Sequence, residues 1–124
     1  MNAAADHERV FRIGGGSVDN LRLKPKEWTL KPPGISVFIH VSALAVVEQL
    51  EQAFPNATRL LADAIVVGTA LVSDIRSVGF DVLYDPTKRF PNHARLIRAD
   101  HGTAREEWEL AALSQVFTDL PTRK

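Results

Sequence analysis

Apolar and polar positions alternate in several short stretches of the chain and recur every three or four residues in two longer ones. "RVFRI" (9–13) and "FDVLY" (80–84) alternate, as a half-buried strand does when successive side chains point to opposite faces. "ISVFIHV" (35–41) is β-branched and aromatic, and "IVVGTAL" (65–71) is an apolar run short enough for a buried strand. "HARLIRA" (93–99) puts Ala94, Leu96 and Arg98 on one side and His93, Arg95, Ile97 and Ala99 on the other. "LRL" (21–23) reads as a short edge strand, because Pro25, Pro32 and Pro33 beyond it cannot donate to a ladder.

The helical spacing begins at Ser42, a capping residue. Leu44, Val47, Leu50 and Phe54 follow on one face, and Pro55 stops the run. Asn56 is placed to cap a short helix over "ATRLLADA". "SDIRSVG" reads as one or two helical turns, with Ser73 at the start and Gly79 as the left-handed cap. "TARE" is a capping box of Thr103 and Glu106. It opens a helix whose apolar face is Trp108, Leu110, Ala111, Leu113, Val116 and Phe117, ended by Pro121. The sum is a single α+β domain over residues 9–120. It is expected to be a twisted mixed sheet of five or six short strands with two main helices packed on it, Trp108 and Phe117 closing one side. Residues 1–8, small and polar, read as a disordered tail.

The chain has 124 residues, enough to bury one core. Lys and Arg total 15 and so do Asp and Glu, so no overall field draws it to nucleic acid or an anionic membrane. The absence of cysteine removes disulfides, thiolate metal sites and cysteine nucleophiles. No apolar run approaches the ~20 residues that span a bilayer, and "MNAAADHERV" lacks the basic and apolar regions of a secretory signal. A cytoplasmic protein, or one exported without a cleaved signal, is expected.

Four constellations bear on chemistry. "IGGGS" follows a strand as phosphate loops do, but "VDNLRLKPKEW" after it does not read as a helix start and no Gly-Lys-Ser/Thr occurs, so the run is read as a turn. Arg22, Lys24, Lys26, Trp28 and Lys31 could contact a phosphate and a base, but a solvated, lysine-protected edge explains them in a neutral chain. His7, His40, His93 and His101 lack helical or hairpin metal spacing, so no metal is expected. The last is a set at strand ends: Arg12, Ser36, Asp85 and His93. His93 could bind a ligand or transfer a proton there, with Ser36 offering a hydroxyl. Asp85 before Pro86, and Asn92, equally read as turn formers, with His93 capping their turn.

"GISVF" followed by "GFDVLYDPTKRFPNHARLI" resembles a family of small bacterial proteins with an "SV … DP … P-x-H-A" layout. Here those steps are Ile35-Ser36-Val37, Val82 with Asp85-Pro86, and Pro91 with His93-Ala94. The order of an aromatic-Arg strand, a Gly-x-Ser strand, a His-led strand and a C-terminal helix is also similar, more loosely, to compact bacterial toxins with an ADP-ribosyltransferase-like fold. That resemblance implies NAD as cofactor, with Arg12 facing its phosphates, Ser36 on the nicotinamide-side strand and His93 flanking the pocket. The chain departs from it in having no glutamate in or beside "HARLIRAD", Asp100 being the nearest acid. Two functions stand side by side. The first is a non-catalytic module of a bacterial toxin–antitoxin or toxin–immunity system, without cofactor, whose partner is a protein encoded nearby. The alternative is a small toxin-like transferase acting through Arg12, Ser36 and His93.

Overall fold

The structure, a computed structural model, describes residues 2–28, 34–56, 66–99 and 107–121. Its strands are β1 (Arg9–Ile13), β2 (Ile35–Ile39), β3 (Val66–Leu71), β4 (Phe80–Tyr84), β5 (His93–Arg98) and β6 (Thr118–Pro121). The helices are α1 (Val18–Leu21), α2 (Pro25–Trp28), α3 (Ala43–Ala53), α4 (Val72–Ser77) and α5 (Glu107–Gln115). The strands form one sheet in the order β4-β5-β2-β1-β3-β6, and every pairing among them is antiparallel. The α+β class therefore holds, with pairing in one sense where a mixed sheet was expected.

The alternation of each strand divides the core into two layers. On one face Val10, Val37, Ala70, Val82, Ala94 and Leu96 pack against Leu21 of α1, Ile75 of α4, and Leu110 and Leu113 of α5. On the other, Phe11 and Val67 pack against Ala43, Val46, Val47 and Leu50 of α3. Ser42 caps α3, its hydroxyl accepting from the Ala45 amide at 3.1 Å. The buried stripe of α3 is not the Leu44–Val47–Leu50–Phe54 stripe read from spacing. Val47 and Leu50 belong to both, but Ala43 and Val46 complete the buried one and Leu44 is 55 % exposed. A period of 3.6 fits either stripe, and docking on Phe11 and Val67 selects one.

Between β1 and β2, where an edge strand over residues 21–23 was expected, the described residues form two single helical turns. Ser17 caps α1 by accepting from the Asn20 amide. Pro25 opens α2, where a missing N–H costs nothing, and the Glu27 carboxylate reaches back to the Lys24 amide at 2.8 Å. The basic residues near position 24 therefore do not form an edge strand. The glycine run is a turn: Gly14 and Gly15 have φ of +90° and +100°, which favour glycine. The Gly16 amide, the kind of group that would grip a phosphate, donates to the Asp119 carboxylate at 2.7 Å.

Both edges of the sheet differ from expectation. Residues 1–8 read as a disordered tail, but residues 2–4 run along β4, where Ala3 bridges Leu83, the Ala4 amide donates to Val82 O and Ala4 is buried, and Asp6 O and Glu8 O accept from the first amides of α4. At the far edge Pro121 does not end α5. The helix stops at Gln115, the chain turns, and Thr118–Pro121 pairs with β3 as β6. A four-residue strand exposed on both faces carries no periodic signal, and Pro is tolerated because it lies on an edge. The helix expected over "ATRLLADA", the "TARE" capping box and the side chain of Trp108 lie outside the described residues.

Candidate functional site

The three residues singled out for chemistry do not lie on one face of the sheet. Arg12 lies on the α1/α5 side of the sheet, opposite Gly68 in the ladder, and is 6 % exposed. Its Nη1 donates to Glu27 Oε2 at 2.7 Å and to Ser36 O at 2.8 Å, while Nε and Nη2 share Asn20 O at 3.1 and 2.8 Å. Glu27, equally buried, also accepts from the amide of Ser36 at 2.6 Å. The pair thus ties β1 to α1, α2 and the start of β2. This is a closed structural ion pair in which every side of the guanidinium is used, and Arg12 does not face a cofactor phosphate.

Ser36 and His93 stand on the other face, on adjoining strands: Ser36 opposes Arg95, and His93 opposes Phe38 two ladder pairs further on. The His93 ring is turned into its own loop. Its Nδ1 lies 3.0 Å from Asp85 O and 3.5 Å from the Asp85 carboxylate, both acceptors, so this nitrogen carries the proton. The same carboxylate receives Arg95 Nη2 at 2.8 Å, and Asp85 N donates to His93 O. Phe38 meets the ring edge-on at 5.8 Å, and Phe90 and Phe54 continue the aromatic cluster. Of the two roles open to His93, the geometry matches the turn residue, a clasp holding the 85–93 loop to β5.

Two hollows lie elsewhere, on either side of Arg9. The first, about 430 Å³, opens on the α3 face and is walled by Phe11, Val41, Ala43, Thr69, Thr118 and Leu120. The Thr69 hydroxyl, in a residue only 6 % exposed, faces this region of the sheet with no hydrogen-bond partner. The large apolar residues most exposed among those described are Val41, Leu44 and Leu120. Val41 and Leu120 rim this hollow. The second hollow, about 630 Å³, lies where β1 begins and β2 ends, with His7, Glu8, Arg9 and His40 around it.

Spacing missed these residues for a specific reason. Helical and hairpin separations do not relate them, whereas antiparallel pairing of β1 with β2 brings Val10 opposite Ile39 and so sets Arg9 beside His40. Among the described residues no group of three or more His, Asp or Glu could hold a metal ion, and no helix is long and apolar enough to cross a membrane. Compared with known protein families, characterised proteins and solved structures, the chain matches none.

Proposed function

We propose that the chain is a non-catalytic partner-binding module that receives an extended segment of another protein along β6. The supporting observation is the coincidence of three features at one place. β6 is the terminal strand, exposed throughout, and no described strand pairs with its outer side. An unpaired edge offers a ladder of backbone donors and acceptors to an incoming strand. The 430 Å³ hollow beside it provides an apolar pocket for a side chain of that strand, with Thr69, whose buried hydroxyl has no hydrogen-bond partner, in its wall. The opposite edge, β4, is already covered by residues 2–4. The resemblance to small bacterial proteins makes a toxin–antitoxin or toxin–immunity locus the setting, with the partner encoded beside this chain.

The transferase alternative, with NAD as cofactor, requires Arg12 to meet cofactor phosphates, and Arg12 is spent on Glu27 and two carbonyls. The test is co-expression with the product of the adjoining gene, followed by size-exclusion chromatography and calorimetry. A stable complex is expected, weakened about tenfold or more by Leu120→Asp, since a charge would be forced into the apolar contact. An undiminished affinity in that variant sinks the edge-strand reading. Growth arrest by the chain expressed alone, relieved by His93→Ala, would favour the enzyme instead.

A further inference from the structure

The second hollow carries chemistry of a different kind. Its polar residues come from two neighbouring segments: His7 and Glu8 lead into β1, Arg9 opens it, and His40 follows β2. Ile39 and Val41 supply an apolar wall. Asn92 at the margin is used up: its amide nitrogen donates to Ile39 O at 3.1 Å and its oxygen accepts from Gln49 at 2.8 Å. Glu8 is the one carboxylate among the lining residues, and it is engaged from outside by the Tyr84 hydroxyl. His40 Nδ1 accepts the Val41 amide at 2.8 Å, so a neutral ring carries its proton on Nε2 and offers a donor there. Arg9 has no carboxylate partner among the described residues, in contrast with Arg12 three positions on, which is fully enclosed.

Beside Glu8, whose Oε1 remains an acceptor, the lining offers more donors than acceptors, one guanidinium and two imidazoles, facing a hollow with an apolar wall. A guanidinium presents paired N–H groups that match a phosphate or carboxylate. Imidazole and aliphatic walls match a flat apolar body. The volume, about 630 Å³, is within the ~300–1,000 Å³ of small-molecule sites.

We propose that this hollow binds a phosphomonoester carried on a planar ring, the chemistry of a nucleoside monophosphate. Arg9 holds the phosphate, His40 Nε2 donates to it, and the ring lies along His7, Ile39 and Val41. No covalent step is involved. The site is separate from the β6 edge, although Arg9 and Val41 border both hollows, so occupancy here can be tested with the edge altered by Leu120→Asp.

The experiment is calorimetric titration of the full chain with adenosine monophosphate, adenosine and inorganic phosphate in turn, alongside amide chemical shifts. Saturable binding of the monophosphate is expected, at least about tenfold tighter than inorganic phosphate or adenosine alone. Shifts should fall on residues 7–9 and 39–41. Arg9→Ala and His40→Ala should each weaken binding about tenfold while leaving the thermal midpoint near that of the parent, Arg9 being exposed. Lys88→Ala, at an exposed position that does not line the hollow, should not change it. Absence of saturable binding at millimolar monophosphate overturns the proposal. So do equal affinities for monophosphate and inorganic phosphate, or binding that survives Arg9→Ala with shifts elsewhere.

Discussion

Replacing Arg12 by methionine separates a structural arginine from a ligand-binding one. The side chain fills similar space, but four contacts disappear: two to Asn20 O, one to Ser36 O and the ion pair with Glu27. Glu27 would then be a carboxylate only 5 % exposed, left with the amides of Lys24 and Ser36 and no counter-charge. Removing one partner of a buried pair costs about 3–5 kcal/mol, because the remaining charge has lost its solvation without compensation. Against a total of ~5–15 kcal/mol for a domain of this size, Arg12→Met should remove a fifth or more of the stability. The measurement is urea unfolding followed by far-ultraviolet circular dichroism, with linear extrapolation. Glu27→Gln should be milder, since the amide oxygen still accepts from one of the two amides. The double variant should be less damaged than the sum of the single ones, with a coupling of about 1–3 kcal/mol. A loss under about 1 kcal/mol for Arg12→Met, or additive single effects, would refute the closed ion pair and reopen Arg12 as a ligand-facing residue.

Other outcomes follow from the same geometry. Tyr84 is the one tyrosine of the chain. Its hydroxyl donates to Glu8, and that bond, then burial, pushes its pKa up to about 12. A raised pKa means the folded state holds the proton longer than the unfolded chain, whose tyrosine titrates near ~10. The stability from this group is therefore complete below about pH 10 and lost as pH rises toward 12. Tyrosinate absorbance should show a midpoint near 12 when native and lower after Glu8→Ala; an unshifted native midpoint in the parent protein would refute the contact. Gly68→Ala and Gly79→Ala should part company. A Cβ at Gly68 would lie 2.6 Å from the Gly16 amide nitrogen, backbone that cannot yield cheaply, whereas at Gly79 it meets nothing within 4 Å and only the φ of +88° resists. A loss of about 3 kcal/mol or more is expected for the first and ~1 kcal/mol for the second, both read by thermal or urea unfolding. Equal losses would contradict the close approach of β3 to the glycine turn.

The strands were legible because their signals are local. Alternation marks Arg9–Ile13 and Phe80–Tyr84 at their observed bounds, and β-branched density marks Ile35–Ile39. Ser42 and Gly79 announced the start of α3 and the end of α4 through backbone requirements that a single residue satisfies. The candidate site was less legible. His93 was found by its place between a turn and a strand, yet that place fits a clasp on Asp85 as well as a catalytic group. β6 escaped notice because four exposed residues ending in proline carry no periodic pattern.

By itself, then, the sequence determined the positions of five strands, the cap of the main helix and the α+β class, since side-chain period and cap chemistry act over a few residues. The tertiary structure alone decided which stripe of α3 is buried and that Arg12 meets Glu27. It also decided that Arg9 comes to His40, and which edge of the sheet stays open. These depend on antiparallel pairings and buried charge partners far apart in the chain, where no local spacing distinguishes one pairing from another.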